Sequence, residues 1–264
     1  MQKVVIITGN ELRHQYYVSR IAEKLNVVGI VFEKKINQAK KFEDKPQELD
    51  IAARHFQNRE VSEQYHFADK ILLPDCPVME VETGHSNSEE TFQWVKHCQP
   101  DYILLFGCSI IKPPLLSHYD GKIINLHLGL SPYYRGAGTN FWPLVNGEPE
   151  CVGGTIHLAT LKVDAGDILY QVRPQISAGD NPHDIGNKTI AAAVAQIPAI
   201  VEAYHAGLMQ AQKQNLSGGK VYRRKDLTTA AIEQLYQNFE NGLVEDFLNN
   251  REQRLRAYPI IEKA

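Results

Sequence analysis

Two short apolar runs rich in β-branched residues constrain the fold of this chain more than any other feature. Residues 3–8 (KVVIIT) and residues 27–32 (VVGIVF) contain hardly any polar side chain, which predicts strands buried on both faces. Between them, residues 13–25 carry apolar side chains at helical spacing. A buried strand, a helix and a second buried strand in this order favour a parallel sheet covered by helices.

The same alternation of apolar runs and helical segments continues through most of the chain. It predicts a helical excursion over residues 34–66, strands at residues 70–73, 101–106, 122–126, 154–159 and 168–173, and helices at residues 88–98 and 184–205. We therefore predict an α/β fold, a Rossmann-like, mostly parallel sheet flanked by helices, over residues 1–210. Residues 211–264 are predicted to form a small C-terminal extension.

Composition and charge limit the partners that are expected. The 264 residues are 43% hydrophobic, which is enough to bury a sizeable core, and their net charge of −3 lacks the excess of Lys and Arg typical of nucleic-acid-binding proteins. No apolar run approaches the roughly 20 residues that a membrane helix needs, and the N-terminus does not resemble a signal peptide. These features favour a cytoplasmic protein that acts on a small molecule, with neither nucleic acid nor a membrane as a partner.

The cysteines give no sign of a metal site or of a disulfide framework. Cys76, Cys98, Cys108 and Cys151 are scattered along the chain, and no two of them form a C-x-x-C pair. We therefore expect four unpaired thiols in a reducing compartment and no bound metal ion.

Two polar side chains stand where a predicted buried strand ends, in the sequence Asn125-Leu126-His127. Because alternate side chains of a strand point to the same face, Asn125 and His127 should lie side by side. An amide can donate a hydrogen bond to a developing oxyanion, and an imidazole can exchange protons near neutral pH. In open α/β sheets, ligands bind at the carboxyl ends of the strands, so this pair suits acyl transfer there.

Four sequence blocks follow in an order that is similar to one known enzyme family. They are NLHLGLSPYYRGAG at residues 125–138, NGE at 146–148, GTIH at 154–157 and VDAGDIL at 163–169. Together they resemble the formyltransferases that use 10-formyltetrahydrofolate, which act on glycinamide ribonucleotide, methionyl-tRNA or sugar nucleotides. The resemblance covers about residues 70–210 and is weaker in the flanking parts.

The resemblance implies a site with a folate cosubstrate, 10-formyltetrahydrofolate, and no metal ion. Asn125, His127 and Asp164 match the family's catalytic residues, whereas Asp167 does not. The implied folate contacts are Phe106, Gly107, Cys108, Ser109, Ile110 and Ile111 on one side of the pterin ring and Ala159 and Val163 on the other. The chain departs from the family's usual pattern where Gly129 stands two residues after His127, because the serine usual there has moved to Ser131. The role of His157 stays open between support of the site and a place in the core.

An aromatic and basic loop beside the site, together with a similar stretch of the C-terminal extension, supplies candidate contacts to the formyl acceptor. These candidates are Tyr133, Tyr134, Arg135, Gly136, Tyr222 and Arg223. For a nucleotide ligand, Tyr222, Tyr16 or Tyr17 could stack on the base, and Arg135, Arg13 or the Arg223-Arg224 pair could bind phosphate. Phe141 and Trp142 are expected to pack in the core.

The acceptor that the sequence favours is the amine of a nucleotide-linked amino sugar. A glycinamide ribonucleotide enzyme is expected to open with a glycine-rich phosphate loop, where this chain has Thr8-Gly9-Asn10-Glu11. A methionyl-tRNA enzyme is expected to carry a larger C-terminal domain and a basic surface. The alternatives that stay open are another amine as acceptor and a catalytically silent module that binds folate or a nucleotide. The sequence leaves open whether the protein forms a homodimer.

Overall fold

The computed structural model describes residues 1–35, 39 and 42–262. Its strands are β1 (Lys3–Gly9), β2 (Asn26–Glu33), β3 (Val78–Val81), β4 (Tyr102–Phe106), β5 (Ile123–His127), β6 (Tyr134–Gly136), β7 (Gly154–Leu158), β8 (Ile168–Val172) and β9 (Lys220–Tyr222). Seven of them form one sheet in the order β3-β2-β1-β4-β5-β7-β8. The first five strands in this order are parallel, and β7 runs antiparallel to both of its neighbours. The predicted mostly parallel α/β sheet is confirmed.

Helices cover both faces of this sheet. They are α1 (Leu12–Ala22), α2 (Pro46–Phe67), α3 (Glu89–Cys98), α4 (Leu115–His118), α5 (Trp142–Val145), α6 (Pro182–His205), α7 (Thr229–Glu240), α8 (Leu243–Asn249) and α9 (Arg251–Arg256). Val4 and Ile6 of β1 pack in the cluster that α1 and α6 share, whereas Val5 and Ile7 pack in the cluster that includes α3 and α4. All four side chains are 0% exposed, which is why the first strand reads as an uninterrupted apolar run.

Capping side chains fix where two of the helices begin. Ser88 accepts a hydrogen bond from the backbone N–H of Thr91 at the start of α3. At the start of α6, Asn181 accepts from the N–H groups of His183 and Asp184. Pro182 occupies the first helical position, so α6 begins two residues before the predicted boundary.

The strand predicted at residues 70–73 is wrong. A 3-10 helix covers Ala68–Lys70, and the N–H of Leu72 donates to the Ser19 hydroxyl instead of a neighbouring strand. The edge strand is β3, which pairs with the second half of β2. Within the helical excursion predicted over residues 34–66, the structure places α2; residues 36–38, 40 and 41 lie outside the described residues.

The residues after 210 pack against the rest of the protein along much of their length. β9 pairs in parallel with β6 in a separate two-stranded sheet, and α7 packs against α2 and α5. Leu235, Val244 and Phe247 share an apolar cluster with Leu144 and Ile185. The division of the chain at residue 210 stays a prediction.

Candidate active site

The side chains of Asn125 and His127 lie on the same face of the sheet, at the end of β5. Across the strand pair, Asn125 stands opposite His157 and His127 stands opposite Thr155 of β7. His127 and His157 are 6% and 3% exposed, and their ring centroids are 6.5 Å apart. The expected pair therefore stands next to a second buried imidazole.

Asp164 approaches this pair from the loop between β7 and β8. Its Oδ1 lies 3.4 Å from Nδ1 of His127 and 3.7 Å from Nε2 of His157. Its Oδ2 accepts a 2.9 Å hydrogen bond from the N–H of Gly136. The backbone of Asp164 is left-handed, with φ of 48°. The structure thus brings the three predicted catalytic side chains together.

Both ring nitrogens of His127 face hydrogen-bond acceptors. Nδ1 faces Asp164, while Nε2 lies 3.2 Å from the carbonyl of Tyr134 and 3.3 Å from Oγ1 of Thr139. The Thr139 hydroxyl donates its own hydrogen to the carbonyl of Leu128, so it can only accept from the ring. Burial lowers the pKa of His127, and the charge of Asp164 opposes this effect. When the ring is protonated, each of its two N–H groups therefore faces an acceptor.

Asp164 is a stable carboxylate in spite of its burial. Burial by itself raises its pKa, but the nearby His127 and His157 rings and the hydrogen bond from the Gly136 N–H lower the pKa to about 2. The group therefore keeps its negative charge at neutral pH and can stabilise a protonated His127.

His157 holds the amide of Asn125. Its Nδ1 lies 2.8 Å from the carbonyl of Leu158, an acceptor, so the ring hydrogen is on Nδ1. Its Nε2 is then free to accept from Nδ2 of Asn125, 3.0 Å away. One amide hydrogen of Asn125 is thereby fixed, and the other remains for a substrate oxygen. Of the two roles that the sequence left open for His157, this contact favours support of Asn125, and cross-strand pairing with β5 is the signal that could have shown it.

A buried glutamate, which the sequence reasoning missed, anchors the predicted folate turn. Glu33 at the end of β2 is 0% exposed. Its Oε1 accepts from the N–H and the hydroxyl of Ser109, at 3.0 and 2.8 Å, and its Oε2 accepts from the Ser86 hydroxyl at 2.6 Å. An acidic residue that ends a buried strand is the sequence signal, because a buried charge needs several hydrogen bonds.

The residues predicted to contact folate differ in their exposure. Phe106 is a core side chain at 2% exposure, and Gly107 is left-handed and packed against His14. Burial raises the pKa of the Cys108 thiol to about 12, so this group stays neutral. Ile110 and Val163, by contrast, are 48% and 43% exposed. These exposed apolar side chains, one from each predicted side, are the ones available to an aromatic ring; Ile111 is buried in the core, and Ala159 donates its N–H to Ile123.

Two tyrosines predicted to contact the acceptor use their side chains within the protein. The hydroxyl of Tyr133 donates to the carbonyl of Pro259 at 2.7 Å. Tyr134 is 1% exposed, and its hydroxyl donates to Glu148. What Tyr134 presents to the site is its backbone carbonyl, which lies next to His127.

The remaining acceptor candidates have different surroundings. Gly136 faces Asp164 through its N–H. The ring of Tyr222 stacks on Trp142 with centroids 4.1 Å apart, so one of its faces is already covered. Trp142 is 8% exposed, which confirms its expected place in the core. Arg223 is exposed, whereas Arg135 is 9% exposed and close enough to His127 for its charge to lower the pKa of that ring.

Base stacking by Tyr16 or Tyr17 is contradicted by the structure. Tyr16 is 7% exposed and stacks on Phe67, and Tyr17 is 1% exposed, because both belong to the apolar face of α1. Arg13 makes ion pairs with Glu11 and Glu63. A helix that covers a sheet must bury one stripe, and these tyrosines occupy it.

Three negative observations apply to residues 1–35, 39 and 42–262. No group of three or more His, Cys, Asp or Glu side chains is arranged to hold a metal ion. No helix there has the length and apolar character needed to cross a membrane. Cys76, Cys98, Cys108 and Cys151 form no disulfide there.

Comparisons with known proteins identify sequence relatives of this chain. The chain is 31% identical over 112 residues to phosphoribosylglycinamide formyltransferase of Escherichia coli, a match to 42% of this chain and 52% of that enzyme. It is 30% identical over 120 residues to GDP-perosamine N-formyltransferase of Brucella melitensis, covering 45% and 46% of the two chains. The matched part thus spans about half the length of these curated relatives.

Solved structures and a family profile complete the comparison. A 4-N formyltransferase from Francisella tularensis aligns with a TM-score of 0.55 at 17% identity, over 89% of this chain and 86% of that one. The formyltransferase PseJ from Anoxybacillus kamchatkensis, solved with a UDP-linked formamido sugar and tetrahydrofolate, aligns with a TM-score of 0.50 at 16% identity, over 88% and 97%. At these identities the likeness shows the fold. The profile of the formyl transferase family matches residues 1–201. The chain therefore belongs to the formyl transferase family, as its motifs predicted.

Proposed function

We propose that this protein transfers a formyl group from 10-formyltetrahydrofolate to the amine of a nucleotide-linked amino sugar. Family membership implies an N-formyltransferase that uses this folate cosubstrate. The contact of His127 with Asp164 and the place of Asn125 beside His127 on β5 support the chemistry, and an unpaired cation nearby supports the acceptor class.

Each of the three side chains has a role in the proposed transfer. The acceptor's neutral amine attacks the formyl carbon, and negative charge develops on the formyl oxygen. The free amide hydrogen of Asn125 and the protonated ring of His127 stabilise that charge. When the bond from the formyl carbon to the folate nitrogen breaks, His127 can supply the proton that this nitrogen takes up. Asp164 stabilises the charged ring and can accept, directly or through water, the proton that the amine loses.

The main support for a nucleotide-linked acceptor is the environment of Arg135. Its side chain is 9% exposed and its Nε is buried without a hydrogen-bond partner. Within the described part of the chain, its guanidinium takes part in no ion pair. A buried cation without a counter-ion is unfavourable, so a bound anion would stabilise it. The pyrophosphate of a nucleotide sugar is such an anion, and its sugar amine would lie next to His127.

The first loop argues against a ribonucleotide phosphate bound at the start of α1, which follows β1 at the same carboxyl edge of the sheet as His127. Glu11 is the N-cap residue of α1, and its carboxylate is paired with Arg13. A helix N-terminus is the usual docking point for phosphate, and here a carboxylate already occupies it. A relative named GDP-perosamine N-formyltransferase is consistent with a sugar nucleotide as acceptor.

The proposal is tested by offering the protein several acceptors with 10-formyltetrahydrofolate. UDP-, TDP- and GDP-linked 4-amino sugars are compared with methionyl-tRNA and glycinamide ribonucleotide, and mass spectrometry detects the gain of one carbonyl. We expect turnover on a sugar nucleotide. Turnover on tRNA or glycinamide ribonucleotide alone would overturn the acceptor class and leave formyl transfer standing. Absence of both turnover and folate binding would contradict the activity itself.

A variant of Arg135 tests the observation behind the acceptor class. Arg135→Met keeps an apolar chain of similar length but removes the charge. Losing one charge-assisted contact should raise KM for the sugar nucleotide by about tenfold or more. The free protein should be as stable as the parent or more stable, since an unpaired buried charge is removed. Arg20→Met, at an exposed pair on α1, is the control. A lower melting temperature with unchanged KM would mean that Arg135 has a structural role instead.

A further inference from the structure

One side chain from the C-terminal extension binds the loop that carries Asp164. Nε2 of Gln214 donates to the carbonyl of Asp164 at 3.0 Å and to the carbonyl of Gly166 at 2.6 Å. Both partners are acceptors, so the orientation of this amide is fixed. Gln214 lies beyond the family profile, which ends at residue 201.

The same segment holds the loop at a second point. Gln212 and Ile168, which follows the Asp164 loop, exchange two backbone hydrogen bonds of 2.8 Å. The loop from residue 159 to 167 otherwise exposes its apolar side chains, with Leu161 at 64% and Val163 at 43%. Hydrogen bonds to the extension therefore make up much of what fixes this loop.

A third attachment reaches Asp164 through the small sheet. The carbonyl of Tyr222 on β9 accepts from the N–H of Ala137 at 2.8 Å. A Cβ at Gly136 would lie 2.0 Å from that carbonyl oxygen, so only glycine fits between the two strands. The N–H of Gly136 in turn binds Oδ2 of Asp164. The extension thus touches the loop backbone directly and the catalytic carboxylate through one intermediate.

We infer that residues 212–222 hold Asp164 in its reactive position and that Gln214 is a positioning residue for the reaction. The inference rests on the proposed function in so far as Asp164 acts in formyl transfer. Its physical basis is the left-handed backbone of Asp164, with φ of 48°. A left-handed backbone is uncommon outside glycine, Asn and Asp, and contacts around the residue help to hold it there. The two bonds from Gln214 are contacts of this kind.

The test that needs no acceptor is the titration of His127 by NMR. Gln214→Met keeps the length of the side chain and removes the hydrogen bonds. Because Asp164 raises the pKa of His127, a displaced carboxylate should let that pKa fall, in the direction set by the reference variant Asp164→Asn. Gln212→Met is the matched control, because Gln212 binds Ile168 through its backbone alone. An unchanged His127 titration in a folded Gln214→Met variant would overturn the inference.

Kinetics give the second measurement, once an acceptor is known. Loss of Gln214 should lower kcat by about tenfold and change KM for the folate by less than about twofold, as expected for a group that acts on the transition state through Asp164. A rise in KM at constant kcat would contradict positioning. Because the titration does not depend on turnover, failure of the proposed acceptor and failure of this inference are distinguishable. Melting temperatures of both methionine variants confirm that the compared proteins are folded.

Discussion

Replacing His157 by leucine is expected to slow formyl transfer through its effect on Asn125. The His157 ring is 3% exposed and accepts a 3.0 Å hydrogen bond from the amide of Asn125. Leucine fills a similar space but cannot accept, so the amide loses the contact that fixes its orientation. His127 keeps its own partners, Asp164 and the carbonyl of Tyr134.

The size of the effect follows from the kind of bond that is lost. A neutral hydrogen bond contributes about 1 kcal/mol, so His157→Leu should lower kcat by about five- to tenfold. An oxyanion donor contributes roughly 3 kcal/mol, so Asn125→Ala should lower kcat by about a hundredfold or more. If His157 acts only through Asn125, the double variant should be no slower than Asn125→Ala.

The assay is a double-mutant cycle on kcat, following the conversion of 10-formyltetrahydrofolate to tetrahydrofolate at saturating acceptor. KM for the folate should stay within about twofold in each variant, since the amide acts mainly on the transition state. His157→Gln, whose carbonyl can accept from Asn125, should recover part of the rate. Additive losses would refute the reasoning and would point to the second neighbour of His157, the Asp164 carboxylate 3.7 Å away.

Two further predictions concern buried ionisable groups. Glu33→Gln places an amide NH2 against groups of Ser109 or Ser86 that now donate to the carboxylate, which should disturb the predicted folate turn. Tetrahydrofolate affinity, measured by calorimetry, should therefore fall by about tenfold. The control Glu80→Gln, at an exposed position, should leave this affinity unchanged. Burial lowers the pKa of His55 to about 3 and of His183 to about 4. The unfolded chain therefore binds protons at these histidines first, and the free energy of unfolding should decrease as pH falls from about 6.5 towards 4. Measured by chemical denaturation, the free energy of unfolding should depend less steeply on pH in His55→Gln than in the parent protein. The exposed His97→Gln should have the slope of the parent. Equal slopes in the parent and both variants would contradict this account.

The parts of the site that the sequence predicts are those governed by local periodicity. The two-residue period of a strand places Asn125 and His127 on one face, and the structure has them there. The approach of Asp164 does not follow from periodicity, because it depends on a left-handed residue in a loop. Resemblance to the family supplied that residue, and the match over residues 1–201 confirms the family.

The parts that sequence reasoning missed depend on contacts distant in the chain. β6 and β9 have three residues each and pair across more than 80 positions, so neither carries a periodic signal. β3 is a short edge strand of alternating exposure. The more apolar residues 70–73 nearby give a stronger strand signal, so the strand is predicted there instead. Glu33 reads as the start of a charged surface segment, and only its three hydrogen bonds show it to be interior. Each of these features is defined by a partner that the local sequence does not contain.

The unpaired Arg135 also affects the pKa of the nearby His127 ring. Burial is the main cause that lowers the pKa of His127; the negative Asp164 opposes it, and the positive Arg135 adds a smaller lowering. A pyrophosphate bound to Arg135 in the proposed reaction would neutralise the arginine's effect and leave that of Asp164. The pKa of His127 would then rise when the acceptor binds, so the ring would become protonated at the stage that requires a proton for the leaving nitrogen. The same guanidinium would thus bind the acceptor and add, in the free protein, to the effect of burial that lowers the pKa of the ring.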